Sequence, residues 1–135
     1  METTLLYDTT LRDGMQGENI FFSPEDKLKI ARRLDDAGIH YIEGGWPGSN
    51  PGAQRFFELV RDMPFKNAKI TAFGATRRQG TTCDQDGNLR ALIDSGAPVI
   101  TIFESSIDKG FPPRSIRFKE SMDIGEYIMS PTFLG

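Results

Sequence analysis

The stretch SPEDKLKIARRLDDAGIHYI, residues 23–42, reads as one complete helix running into the start of a strand. Ser23 offers a side-chain oxygen to the free N–H groups of a first turn. Pro24 suits the first helical position, where no N–H is needed, and Glu25 and Asp26 complement the positive end of the helix dipole. Leu28, Ala31 and Leu34, joined by Ile30 and Ala37, recur at helical spacing, and Gly38 supplies the stop. The apolar run His40–Ile42 behind that stop is short and reads as a strand.

Similar runs stand at Leu5–Tyr7, Ile70–Phe73 and Val99–Phe103, with successive runs roughly 30 residues apart, the length of one strand-helix-strand unit. The second interval repeats the punctuation of the first. Asn50-Pro51 opens a helix, Ala53, Phe56, Phe57, Val60 and Met63 form its apolar stripe, and Pro64 closes it. A third helix is predicted from about Asp86 to Ser95, with Leu89, Leu92 and Ile93 inward and Gly96 as the stop; Arg77 to Gly87 is a polar loop before it. Short apolar runs covered on both faces are the mark of parallel strands. An α/β fold is therefore expected over residues 1–103, while residues 104–135 show no sustained period and are expected to form a mostly irregular tail.

At 135 residues, 38% of them hydrophobic, the chain supports one core but not two. The net charge of -3 is spread without a basic face, so no nucleic-acid partner is expected. No basic leader with a long apolar core is present, and no stretch approaches the ~20 apolar residues of a membrane span, so no membrane partner and a cytoplasmic location are expected. Cys83 is the only cysteine and His40 the only histidine, which excludes a disulfide framework and a Cys-rich zinc site.

The densest cluster of reactive side chains, Asp8-Thr9-Thr10-Leu11-Arg12-Asp13-Gly14-Met15-Gln16, directly follows the first strand. Ligands of parallel β/α folds bind at the carboxyl ends of strands. A carboxylate such as Asp13 can coordinate a hard divalent cation, and a guanidinium such as Arg12 can stabilise an oxyanion. Glu43, one strand over, could hold Arg12 by a charge-assisted pair. On spacing alone, an Arg-Asp pair after a strand can equally be a solvated loop. Gly44, Gly45 and Gly48 fit either a tight turn beside a pocket or an ordinary glycine-rich loop. Trp46 and Pro47 fit a pocket wall or an exposed loop. Thr76, Arg77 and Arg78 fit a site for a carboxylate or a coenzyme A phosphate, or a solvated basic loop. His40 lies at the amino end of its strand and is taken as structural; Cys83 is given no role. No G-x-G-x-x-G follows the first strand, which disfavours a dinucleotide fold.

DTTLRDGMQ after strand one and IEGGWPGSNPG after strand two resemble the signature of the metallolyase superfamily that includes isopropylmalate, homocitrate and citramalate synthases and 3-hydroxy-3-methylglutaryl-CoA lyase. With YIEGGWPGSNP, ITAFGATRR and VITIF, the resemblance is strongest to the citramalate synthase branch and covers about Leu5 to Phe103. It implies a (β/α)8 TIM barrel, of which this chain is expected to supply about the first four strands. It implies an acyltransferase that condenses acetyl-CoA with a 2-oxo acid, pyruvate, and hydrolyses the thioester, chemistry of isoleucine biosynthesis. By the same resemblance Arg12 polarises the keto oxygen and binds substrate, Glu43 completes an Asp-Arg-Glu trio, Gln16 lines the pocket, and Asp13 is a ligand to Mg²⁺, Mn²⁺ or Zn²⁺.

Members of that superfamily complete the metal site with a His-X-His pair, which this chain lacks, and their barrel needs ~250 residues. A truncated chain, inactive alone, with a weakly held or absent metal is therefore expected. Its open barrel edge could favour self-association. The alternative is a non-catalytic β/α module, or a half-barrel that pairs with a separately encoded partner.

Overall fold

The computed structural model describes residues 3–78 and 80–103, together with the backbone of residues 116–120 and 128–129. Strand β1 (Tyr7–Asp8) leads through a single 3-10 turn (Gly14–Gln16) into helix α1 (Pro24–Asp36), which is followed by β2 (Tyr41–Gly45), α2 (Pro51–Val60), β3 (Lys69–Ala75), α3 (Gly87–Asp94) and β4 (Val99–Phe103). The four strands are parallel and stand in sequence order. This is the expected α/β succession, the opening of a barrel. Crossovers of one hand between successive neighbours place all three helices on the same face of the sheet. None of the described helices is long and apolar enough to cross a membrane.

The caps form as the residue types require. Ser23 Oγ accepts from Asp26 N at 3.1 Å, and Asn50 Oδ1 accepts from Ala53 N at 2.8 Å. Asp86 Oδ1 accepts from Asn88 N and Leu89 N at 2.9 and 3.0 Å. Two helical expectations are corrected. Met63 was expected in the stripe of the second helix, but α2 ends at Val60 and Met63 lies beyond it. Ile93 was expected to face inward but is 58% exposed: the buried residue of this short helix is Leu92, and Ile93 stands about 100° round the helix from it.

Strand alternation gives the sheet two different faces. On the helix side, Ile42, Ile70 and Ala72 pack with Phe56, Phe57, Val60, Ala31 and Leu92. Phe56 and Phe57 are almost fully buried, and their rings meet edge to face with centroids 5.5 Å apart. Each contributes about 1.5–3 kcal/mol of burial. They need the space above β2 that Gly44 leaves: a Cβ at Gly44 would collide with the Phe56 ring and crowd that of Phe57. The next residue, Gly45, has φ +132°, and the pairing of β2 with β3 slips by one residue there. Of the two readings open for this Gly pair, close packing and a strand-end bulge displace the loose loop.

Two antiparallel strands, β5 (Ile116–Glu120) beside β4 and β6 (Ile128–Met129) beside β5, stand within the segment expected to be mostly irregular. The other residues of 104–135 lie outside the described ones.

Asp35, near the end of α1, is 4% exposed. Burial disfavours its charge, yet its carboxyl is held below the usual 3.8 because it accepts from Lys66 N (2.8 Å), Asn67 N (2.7 Å) and Ala68 N (2.7 Å). These bonds fix the chain as it enters β3. Replacing Asp35 by Ala leaves three N–H groups without their acceptor and is expected to remove about 2–3 kcal/mol in urea unfolding at pH 7. A depressed carboxyl stabilises above its unfolded-state value and loses that contribution as pH falls through the folded one. The gap between Asp35→Ala and the parent should therefore close on acidification below about pH 4.

Candidate active site

The loop after β1 winds around one carbonyl. Thr9 O accepts from Arg12 N, Asp13 N and Gly14 N at 3.2, 2.8 and 3.2 Å, while the Asp8 carboxylate holds Thr10 N at 2.9 Å and Thr10 Oγ1 at 3.0 Å. Leu11, 1% exposed, pins the loop into the core. With Leu11 committed to the core, the next side chain, Arg12, turns to the opposite face of the sheet, where Glu43 and Phe73 stand.

There Arg12 Nε donates to Glu43 Oε1, and the guanidinium carbon lies 4.1 Å from the centre of the Phe73 ring. Glu43 is 2% exposed, and its second oxygen accepts from the Tyr7 hydroxyl. The Tyr7 oxygen lies 2.9 Å from Thr101 Oγ1, a hydroxyl that is also buried. Burial, the negative charge of Glu43 and the bond donated to it hold the Tyr7 hydroxyl protonated, well above its ordinary 10.0. The ring of Tyr7 stacks on Tyr41, centroids 6.2 Å apart. Thr71, paired in register with Glu43, contributes a buried hydroxyl for which no partner is found among the described residues.

Of the four residues expected at the site, the structure brings Arg12 and Glu43 into direct contact. Asp13 lies on the solvent side, its side chain 64% exposed and its Oδ1 4.0 Å from Arg12 Nη1. Gln16 is exposed on the 3-10 turn that follows. His40 serves structure: its Nδ1 accepts from Leu6 N at 3.0 Å, tying the start of β1 to β2. Cys83 is exposed. Among the described residues no group of three His, Cys, Asp or Glu side chains converges as a metal site, so Asp13 can contribute one ligand and does not complete a set.

Beside this cluster, the loops after β2 and β3 enclose a cavity of about 600 Å³ lined by Trp46, Ser49, Thr76, Arg78, Asp86 and Asn88, among others. Trp46 donates from Nε1 to Asn88 Oδ1 and meets Phe73 edge to face, centroids 5.9 Å apart, so a wall residue of the cavity touches the ring that backs Arg12. Trp46 is thus a wall residue, and Pro47 is buried. Arg77 Nη1 donates to Thr81 O at 2.9 Å, whereas Arg78 holds its loop through a backbone N–H to Asp86 Oδ2 at 2.8 Å.

A profile of the HMGL-like family matches residues 4–103. The chain belongs to the HMGL-like family. Within it, the chain is 54% identical to an (R)-citramalate synthase of Aquifex aeolicus over 107 residues, 79% of this chain and 20% of the relative. It is also 54% identical to an (R)-citramalate synthase of Geobacter sulfurreducens over 108 residues, 80% of this chain and 20% of that relative. A homocitrate synthase of Methanopyrus kandleri is 38% identical over 100 residues, 70% of this chain and 24% of the relative. The chain spans about a fifth of the length of the citramalate synthases it matches.

In this HMGL-like chain the sequence reading missed Tyr7, Thr101 and Phe73, taken only as apolar strand positions. The signal was alternation: each shares the inner face with Glu43. Glu43→Ala removes the acceptor of the Arg12 Nε–H and of the Tyr7 hydroxyl together. It is expected to destabilise by about 3 kcal/mol in urea unfolding, whereas an exposed pair such as Arg55 with Glu58 is expected to change stability by less than about 1 kcal/mol.

Proposed function

We propose that this chain carries the oxyanion-stabilising part of the active site of a citramalate synthase-type acyltransferase, acting on acetyl-CoA and pyruvate. The single observation behind this reading is the Arg12–Glu43 pair, held at the carboxyl ends of β1 and β2 by the DTTLRDG loop. The higher identity to citramalate synthases than to the homocitrate synthase supports the branch.

In the reaction a general base takes a proton from the acetyl methyl group, the resulting carbon bonds to the keto carbon of pyruvate, and the keto oxygen becomes an alkoxide that is then protonated to the hydroxyl. Water then cleaves the thioester and releases coenzyme A. Arg12 meets the developing alkoxide with terminal N–H donors, in a position fixed before the charge appears. Glu43 and the Phe73 ring hold the guanidinium in place. The cavity beside Trp46, with the exposed Arg78 on its wall, is the proposed space for the coenzyme, whose phosphates would meet that cation. A divalent metal, Mg²⁺ or Mn²⁺, would take Asp13 as one ligand and supply Lewis-acid polarisation of the 2-oxo acid. The residues described here do not complete its coordination, and ligands from the remainder of a barrel are required. Turnover is accordingly proposed for the assembled barrel and not for this chain alone.

Coenzyme A release from acetyl-CoA, pyruvate and Mn²⁺ tests this, with the chain alone and mixed with a polypeptide supplying the rest of the Aquifex aeolicus (R)-citramalate synthase barrel. Pyruvate-dependent release is expected from the mixture only, falling at least about a hundredfold with Arg12→Ala. Release that survives Arg12→Ala, or that needs no pyruvate, would overturn the assignment.

A further inference from the structure

We infer that Tyr7, backed by Thr101, is a positioning residue for Arg12, setting which edge of the guanidinium is left for a ligand. The inference rests on Arg12 being the group that meets substrate, and it concerns how that group is aimed. An isolated arginine and carboxylate favour two parallel bonds, both oxygens taking N–H groups from one edge of the guanidinium. Here Glu43 is held differently: Tyr7 donates to Oε2 and takes up one of its two lone pairs, and Arg12 reaches Oε1 through Nε. The rotation of the carboxylate is thereby set by Tyr7, and neither terminal nitrogen of Arg12 is hydrogen-bonded to Glu43.

Thr101 completes the chain of donors. Because the Tyr7 hydroxyl gives its proton to Glu43, its oxygen is the acceptor in the 2.9 Å contact, and Thr101 Oγ1 is the donor. The burial and charge that keep Tyr7 protonated preserve this order over the whole physiological range. The tyrosine ring is held independently by its stack on Tyr41, so removal of the hydroxyl need not displace the ring. With the hydroxyl gone, Oε2 becomes a buried carboxylate oxygen short of a donor. The nearest remedy is rotation to the two-bond arrangement, which captures one terminal nitrogen of Arg12.

Nitrogen-detected NMR of the arginine side chains in the 135-residue chain reads this without any ligand, Arg12→Lys identifying the signals. The parent is expected to show a protected Arg12 Nε–H and freely exchanging terminal N–H groups. In Tyr7→Phe, a terminal N–H should become protected by about tenfold or more as the pair turns two-bonded. Thr101→Val should move the same signal part-way, and Thr101→Ser should restore it. If Tyr7→Phe fails to fold, the Thr101 pair decides. Unchanged terminal exchange in a folded Tyr7→Phe, or in Thr101→Val, would overturn the positioning role. Loss of pyruvate dependence in the release assay with this pattern intact would overturn the substrate assignment alone.

Discussion

Glu43 is a carboxylate withdrawn almost wholly from water on the inner face of the sheet, and such a group persists only where a countercharge and donors surround it. One requirement reaches across four elements. The countercharge comes from the loop after β1, the second donor from β1 itself, and the hydroxyl behind that donor from β4. Phe73 of β3 closes the flat side of the guanidinium. The carboxylate therefore has its surroundings only when all four strands are in register, which couples formation of the site to formation of the sheet.

The opposite face of the same strand makes this possible. Alternation puts Ile42 and Gly44 toward the helices and Glu43 away from them. Phe56 and Phe57 press so closely on β2 that only glycine fits at position 44, and the bulge at Gly45 then re-aims the chain into the loop that carries Trp46. Lys27 supports the same corner from α1. Its Nζ donates to Gly44 O at 2.5 Å and sits 4.6 Å from the Phe56 ring centre, and burial pulls its pKa down to about 8. Helix packing and site geometry are thus two consequences of one backbone path.

Much of this was legible in the sequence because it is local. Ser23, Asn50 and Asp86 cap the helices they precede, since a cap depends only on residues within one turn. The Arg12–Glu43 pair was also readable, as opposite charges at the ends of neighbouring strands. Tyr7 and Thr101 were not, because their roles depend on a sheet register that brings together residues 94 positions apart, which no local pattern encodes. Ile93 misled for the converse reason: its apolar character fits a stripe, but exposure is decided by what packs against the helix, and α3 is short. The staple from Asp35 to the entry of β3 was equally hidden, since an aspartate near a helix end looks like any solvated surface charge.

The charge state of the pair bears on how such a site would work. Glu43 already neutralises Arg12, so an anionic 2-oxo acid approaching the terminal nitrogens meets hydrogen-bond donors and little net attraction. On the function proposed here, ground-state affinity would come from another cation, and Asp13, exposed and 4.0 Å from Arg12, would be the carboxylate beside the guanidinium to hold it. A single carboxylate grips a divalent ion weakly, because affinity grows with the number of converging ligands. On the function proposed here, holding the substrate and stabilising its alkoxide are therefore separate tasks. The second is built locally, from two neighbouring strand ends and the donors behind them. A preorganised donor that adds little to binding the ground state acts mainly where negative charge develops, which is the condition for raising a rate and not merely tightening a complex.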